Sequence, residues 1–256
     1  SSIPSSFRSA SKSDLVKLLL LDGSGTRPEF QSSVWKKAKS YLKKETSGKC
    51  AYCEAPTEAV AHGDVEHFRP KSVYWWLAYC LENYLFSCQL CNQTYKGDIF
   101  PIRGARVTGP DPVIEAEIAA SWPDSASSSE CDGFHSENLV ELPLLVNPLH
   151  EDPADTLTYQ ADFDQGWVMI APRSAAVADK AEATIATLGL NRDELKLLRF
   201  ERWLDVEVFC QGCRLDGQAK VIALKGLRRA LQPKAPFRAM ARHIASEVHG
   251  LSLEGL

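Results

Sequence analysis

Gly48-Lys-Cys-Ala-Tyr-Cys53, Asp64-Val-Glu-His-Phe-Arg-Pro-Lys71 and Tyr84-Leu-Phe-Ser-Cys-Gln-Leu-Cys-Asn92 are the stretches that decide how this chain reads. The two CxxC pairs, Cys50/Cys53 and Cys88/Cys91, supply four thiolates, enough to close a tetrahedral zinc site. Between them, residues 63–68 alternate and run into Arg69-Pro70, which predicts a short strand. Tyr84–Ser87 predicts the returning strand, and Gln89–Lys96 a helix cut off by Gly97. The expectation is a ββα unit whose last helix is pinned at its first turn by zinc, with Glu66 and His67 on the first strand and Asn92 directly after the last thiolate.

Working outward, Ser11 or Ser13 is placed to cap a helix over Leu15–Leu21 that Gly23 would end. Glu29–Thr46 predicts a helix with Trp35, Ala38 and Leu42 on one side and lysines on the other, stopped by Gly48. The aromatic-rich Val73–Leu81 predicts a buried helix. Residues 101–136, rich in Pro, Gly, Ser and Asp and including Ser-Ala-Ser-Ser-Ser at 125–129, read as a loop-rich acidic insertion. Thr156–Ala161 and Trp167–Ala171 predict a hairpin around Asp164-Gln-Gly166. Helical pattern then covers 175–188, 191–214 after an Asn191 cap, 216–231 and about 235–248. The fold class expected is α+β and mostly helical. It divides into a basic N-terminal helical segment (1–47), a zinc-stapled core (48–100), the insertion (101–136) and a helical C-terminal lobe (137–256).

The net charge of −4 hides a pattern, because residues 1–50 carry 10 Lys/Arg against 4 Asp/Glu while residues 101–165 carry 2 against 13. Basic ends around an acidic middle are compatible with nucleic-acid binding by one face only; for 101–165 a solvated acidic loop region is the favoured reading. The apolar run at 15–21 contains Lys17 and falls short of the roughly 18 residues of a membrane span. It follows a Ser-rich start, so it is not read as a signal peptide, and no membrane contact is expected. Eight cysteines in a secreted chain would suggest disulfides; paired CxxC spacing points instead to metal binding in a bacterial-type cytoplasm.

Hydrolysing a phosphodiester needs a base for water and a divalent cation to offset charge on the phosphate and leaving oxygen. His67 suits the first task. Glu66 is a hard oxygen donor for Mg²⁺ or Mn²⁺, and Asn92 offers a second neutral oxygen. Asp64, two residues back on the same strand face, rivals Glu66 as a ligand, and His62 is a more distant candidate. Lys96, four residues beyond Asn92 and so on the same helical face, together with Arg69 and Lys71, could contact phosphate. Each has a plainer reading as a structural histidine, a backbone-bonding Asn or a solvated charge. Cys210-x-x-Cys213 lies inside a helical pattern with no second pair and reads as small buried residues. Trp75 and Trp76 read as core, and the Arg228-Arg229 and Lys234/Arg238/Arg242 cluster as either a binding surface or a solvated helix face.

Cys50-x-x-Cys53, Glu66-His67-Phe-Arg-Pro70-Lys71, Asn83 and Cys88-x-x-Cys91-Asn92-x-x-x-Lys96-Gly97 together resemble the HNH endonucleases, whose fold is the ββα-metal finger. The form of the motif is similar to a narrower branch, the PtuB-like HNH subunits of Septu-type and retron-associated anti-phage systems. Leu144-Leu-Val-Asn-Pro148 and Thr184–Asn191 with Arg199 extend that likeness to about residue 200. The resemblance implies His67 as general base, Glu66 in a metal position usually held by Asp, Asn83 as a brace of the loop and Asn92 as the final metal ligand. It also implies a DNA substrate and an ABC-type ATPase partner, PtuA-like, in an oligomeric complex. The competing reading is a zinc-stapled nucleic-acid-binding or adaptor subunit without catalysis.

Overall fold

The computed structural model describes residues 2–21, 29–57 and 62–254. Its elements are α1 (Ser9–Lys17), a helical run of α2 (Ser32–Trp35), a tight turn at Lys36–Ala38 and α3 (Lys39–Glu45), strands β1 (Asp64–His67) and β2 (Tyr84–Ser87), and a π-helix over Leu90–Lys96. There follow α4 (Glu115–Ala120), α5 (Ser128–Asn138), β3 (Leu157–Asp162), β4 (Trp167–Pro172), α6 (Ala178–Thr187), α7 (Asp193–Gly212), α8 (Gly217–Ala230) and α9 (Arg238–His243), the last continuing into a π-turn over Ile244–Val248. Two antiparallel ribbons, β1–β2 and β3–β4, are embedded in helices, an α+β arrangement that is mostly helical. No helix among the described residues is long and apolar enough to cross a membrane.

The strands fall where alternation predicts them: Asp64 pairs with Ser87, Glu66 with Leu85 and His67 with Tyr84. Several helices differ from the sequence reading. α1 starts at Ser9, ahead of the expected cap, because Ser11 and Ser13 turn their hydroxyls to Ser5 O and Glu115 Oε1 instead of to the helix backbone. The helix from 32 to 45 buries Val34, Ala38 and Leu42 as its spacing requires, and Gly48, at φ +78°, ends the run; Gly23 lies outside the described residues. Val73–Leu81 does not form a helix. It makes two single 3₁₀ turns, Trp75–Leu77 and Leu81–Asn83. The carbonyls that a helix would use are taken from the side: Trp122 Nε1 donates to Trp76 O, and Tyr84 Oη and the His67 ring both reach Ala78 O. Residues 101–136, expected to be loop, contain α4 and most of α5. The serine run is a helix start, with Ser127 accepting from Glu130 N. Asn191 does not cap α7; its carboxamide accepts from Ile170 N and donates to Ile170 O, pinning β4 to the turn before α7.

Two buried clusters result. The first joins Val16, Leu19, Leu42, Phe68, Tyr74, Leu77, Tyr84, Ile118 and Leu145 around the β1–β2 ribbon. The second joins Val168, Ile170, Leu190, Trp203, Val206 and Met240 beneath the β3–β4 ribbon, and it takes in Cys50, Cys53 and Cys91. The cysteine region is therefore where the ribbon meets the C-terminal helices.

Arg69 leaves β1 and enters the interior. Its Nε meets Glu141 Oε2 at 3.0 Å, and its Nη2 donates to Asn138 O. Glu141 also accepts from Tyr74 Oη at 2.7 Å and Val107 N at 3.0 Å, so one carboxylate ties three segments together. Removing one partner of such a pair leaves a buried charge, which costs about 3–5 kcal/mol. Glu141→Ala is expected to lose stability of that size in urea titration; a loss under about 1 kcal/mol would mean that water screens the pair.

Candidate metal centre and active site

The first knuckle is shaped by its backbone. Cys50 N donates to Ala55 O, Glu54 N to Cys50 O, and Glu54 sits at φ +57°. Ala51 N donates to Phe86 O, which anchors the knuckle to β2. The second knuckle opens the π-helix, where Asn92 N donates to Cys88 O. The four Sγ atoms lie within 4.8 Å of one another, with Cys53 and Cys88 3.9 Å apart. A zinc tetrathiolate with Zn–S bonds of about 2.3 Å has sulfur–sulfur edges of roughly 3.8 Å, so the donor set fits zinc in both chemistry and spacing. Cys50, Cys53 and Cys91 are buried and Cys88 half-buried. Burial pushes the Cys50 thiol up, while hydrogen bonds from Cys50, Cys53 and Cys91 hold Cys88 down as the group's thiolate. Cys210 and Cys213 lie apart from the cluster at the end of α7; burial pushes Cys210 up to about 12, the state of an inert thiol.

Beside the cluster, Glu66 is 2% exposed and Lys96 0%. Lys96 Nζ lies 2.6 Å from Glu66 Oε1 and donates to His67 O at 2.9 Å. Tyr52 Oη, from the first knuckle, approaches the same Oε1 at 3.5 Å. Burial raises the Glu66 carboxyl, and Lys96 offsets part of that rise. Both contacts fall on Oε1, so Oε2 makes no hydrogen bond among the described residues. The Asn92 carboxamide likewise has none; only its backbone is engaged. These two oxygens are donors of the kind Mg²⁺ or Mn²⁺ takes, while the Lys96 ammonium at 2.6 Å already neutralises the Glu66 carboxylate and opposes a second cation there. Asp64, on the Glu66 face of the strand, accepts from Gln93 Nε2 at 2.7 Å. His62 is exposed.

His67 lies across from Tyr84, and strand alternation sends its ring to the face opposite Glu66. The imidazole packs edge-on against Trp35 and Tyr84, with ring centroids 5.2 and 5.0 Å away. Ala78 O, an acceptor only, lies 2.9 Å from Nε2, which fixes the proton there and leaves the Nδ1 lone pair without a partner among the described residues. Burial lowers the ring to about 4, so it is neutral at physiological pH. Asn83 Oδ1 accepts from Arg69 N at 2.8 Å and its Nδ2 donates to Arg69 O at 2.9 Å, clamping the chain as it leaves β1.

Of the three basic candidates for phosphate, Arg69 and Lys96 are internal, held by Glu141 and Glu66. Lys71 remains half-buried, with Nζ 5.6 Å from the Trp35 ring. The helical winding accounts for Lys96. A π-helix brings residues five apart into register, as Gly97 N to Asn92 O at 2.7 Å attests, so Lys96 does not stack over Asn92 as an α-helix would have it. Sequence reasoning missed Tyr52, Trp35, Glu141 and Arg192 as neighbours of the site. Arg192 Nη1 lies 3.5 Å from Cys91 Sγ and Nη2 3.9 Å from Cys53 Sγ, across more than a hundred residues of chain. No local motif announces such contacts.

Comparison with known proteins now bears on this geometry. Over 196 residues the chain is 29% identical to the Septu protein PtuB of Bacillus mycoides (strain KBAB4), a match covering 72% of this chain and 56% of that protein. The chain is similar to PtuB over that stretch. It spans about half the length of that relative. No family model matches the chain, and no solved structure matches it significantly. The aligned portion of PtuB is long enough to extend well beyond the 48–98 motif.

Metal content tests the cysteine cluster directly. The chain purified without chelator is expected to hold one zinc per molecule by mass spectrometry of metals. Cys91→Ser should release it and lower the melting temperature by roughly 10 °C, the shift that a loss of about 4 kcal/mol causes in a chain of this size. Unchanged melting with no zinc in either protein would sink the assignment.

Proposed function

We propose that this chain is a metal-dependent HNH-type endonuclease that hydrolyses DNA phosphodiesters as the nuclease subunit of a Septu-type anti-phage system. The observation that carries the reading is His67: a neutral imidazole of fixed tautomer, with Nδ1 open, at the end of a ribbon stapled by four cysteines. Such a ring can take the proton of an attacking water at Nδ1 while Nε2–H stays on Ala78 O. Trp35 and Tyr84 hold the ring in place, and the Asn83 clamp fixes the turn beside it. Glu66 and His67 leave the strand on opposite faces, so a scissile phosphate would lie across the end of the ribbon, where both are within reach. Glu66 and Asn92 would hold Mg²⁺ or Mn²⁺, which supplies charge neutralisation at the phosphate and the departing oxygen when bound. Lys71 is the basic group left to meet the backbone.

An ATPase partner is part of the proposal. α7 buries Leu195, Arg199, Trp203, Val206 and Cys210 on one side, and its outer side exposes Leu197, Leu204 and Val208, with Leu215 beyond its end. A helix apolar on both sides suits an assembly in which the outer stripe is covered.

Two observations favour the alternative, a zinc-stapled binding or adaptor subunit: Arg69 and Lys96 are engaged internally, and the Glu66 and His67 side chains do not meet. Nicking of supercoiled plasmid in Mg²⁺ and in Mn²⁺, with and without the partner ATPase, separates the readings. The parent is expected to nick, and His67→Ala to lose activity by about 10²–10⁴-fold, the contribution of a general base, while still binding DNA. Equal cleavage by both proteins would refute the assignment of His67. DNA binding by both with cleavage by neither, partner present, would establish the adaptor reading.

A further inference from the structure

Arg199, in the middle of α7, is 1% exposed, and neither Nη1 nor Nη2 has a hydrogen-bond partner among the described residues. A buried guanidinium without a counter-ion costs several kcal/mol and is not retained by accident. Tyr159 beside it is no anion, since burial keeps that phenol neutral. Leu195 and Trp203, one turn to either side on the same buried face of α7, lie in the apolar cluster that holds Cys50, Cys53 and Cys91, which sets Arg199 toward those sulfurs. Arg192, in the turn before α7, lies on the sulfurs of Cys91 and Cys53, at 3.5 and 3.9 Å, and its own Nε is buried with no partner among the described residues. Four thiolates around a divalent ion leave a dianion, and a dianion in a largely buried site needs cations of its own. The nearby lysines are committed elsewhere, Lys49 to Glu54 and Lys96 to Glu66.

We infer that Arg192 and Arg199 are the charge-balancing partners of a zinc tetrathiolate at Cys50, Cys53, Cys88 and Cys91, so that metal loading is what docks the C-terminal helices onto the catalytic ribbon. The inference rests on the zinc reading above and goes beyond it by assigning the counter-charge and its consequence. The packing around the pair fits. The turn that carries Arg192 also carries Gly189 at φ +57°, where an added Cβ would lie 2.3 Å from the Tyr95 ring, so the turn is seated on the π-helix that bears Cys91. Arg192 then covers the other part of Tyr95, 5.7 Å from its centroid. Leu188, Leu190 and Leu195 share one apolar cluster with Cys50, Cys53 and Cys91. With zinc gone the tetrathiolate dianion goes with it, and the buried Arg199 and half-buried Arg192 lose their counter-charge at this seam.

The test is zinc release from the full chain to a chromogenic chelator, comparing the parent with Arg192→Met, Arg199→Met and the corresponding Lys variants. Each Met variant is expected to release zinc about 10–100-fold faster, as loss of groups that support metal ligands does, with the Lys variants between because they keep the charge without the planar fork. The same variants, and the chelated parent, should be cut by protease within α6–α8 sooner than the zinc-loaded parent. Met variants that hold zinc as firmly as the parent would overturn the inference, above all if Arg199→Met melts higher, the result expected when an uncompensated buried cation is removed. Where Arg199→Met does not fold, the half-buried Arg192 decides by its Met and Lys variants alone. Failure of the zinc reading is recognised separately, by a parent chain that contains no stoichiometric zinc.

Discussion

Four sulfur atoms drawn to within 4.8 Å of one another are the constraint on which the rest of the molecule depends. Thiols at that spacing cannot all ionise without a cation, and cannot pack as well as aliphatic side chains without one. Closing them joins the loop after α3 to the end of β2, and Arg192, from the turn before α7, lies on two of the same sulfurs. The β1–β2 ribbon has four residues in each strand, too little to stand alone in water. Its stability comes from the sulfur cluster on one side and from the apolar cluster of Tyr74, Leu77 and Tyr84 on the other.

A second theme is the internal use of charge. Two buried ion pairs, Glu66–Lys96 and Arg69–Glu141, lie on either side of the ribbon, each fixed by further hydrogen bonds. Pairs of this kind do little for net stability compared with apolar packing, but each specifies one arrangement, since any other leaves a buried charge unpaired. Around a chemical site that specificity has a use. Lys96 holds the Glu66 carboxylate and the His67 carbonyl in one geometry, and Arg69 with Asn83 holds the chain that follows. The cost is that two cations which look available for a phosphate are not on the surface.

The PtuB likeness and the site geometry bear on different levels of the question. The likeness extends over most of the chain but half of the relative, so it speaks to the common ancestry of the aligned part. The proposed chemistry rests on individual groups: the open Nδ1 of His67, the unbonded Oε2 of Glu66 and the Asn92 carboxamide. These are separable by mutation, whereas the four-cysteine cluster bears on all of them at once through the position of the ribbon.

Much of the fold was legible in the residues. Strand alternation at 64–67 and 84–87, the paired CxxC spacing, the hairpin turn at Gly166 and the periodic helices after 175 are all local patterns, and local patterns survive folding when tertiary contacts agree with them. What tertiary structure alone decided has one physical reason: the polar partner was far away in sequence. Aromatic residues 73–81 lost their helix because Trp122, Tyr84 and His67 claimed its carbonyls. The serine run at 125–129 departs from that rule, because its cap is local: Ser127 accepts from Glu130 N, three residues on. Arg69 and Lys96 turned inward because Glu141 and Glu66 were waiting for them. The neighbours of the sulfur cluster, Arg192 and Arg199, lie more than a hundred residues from it, and only the folded chain sets their charges beside those sulfurs.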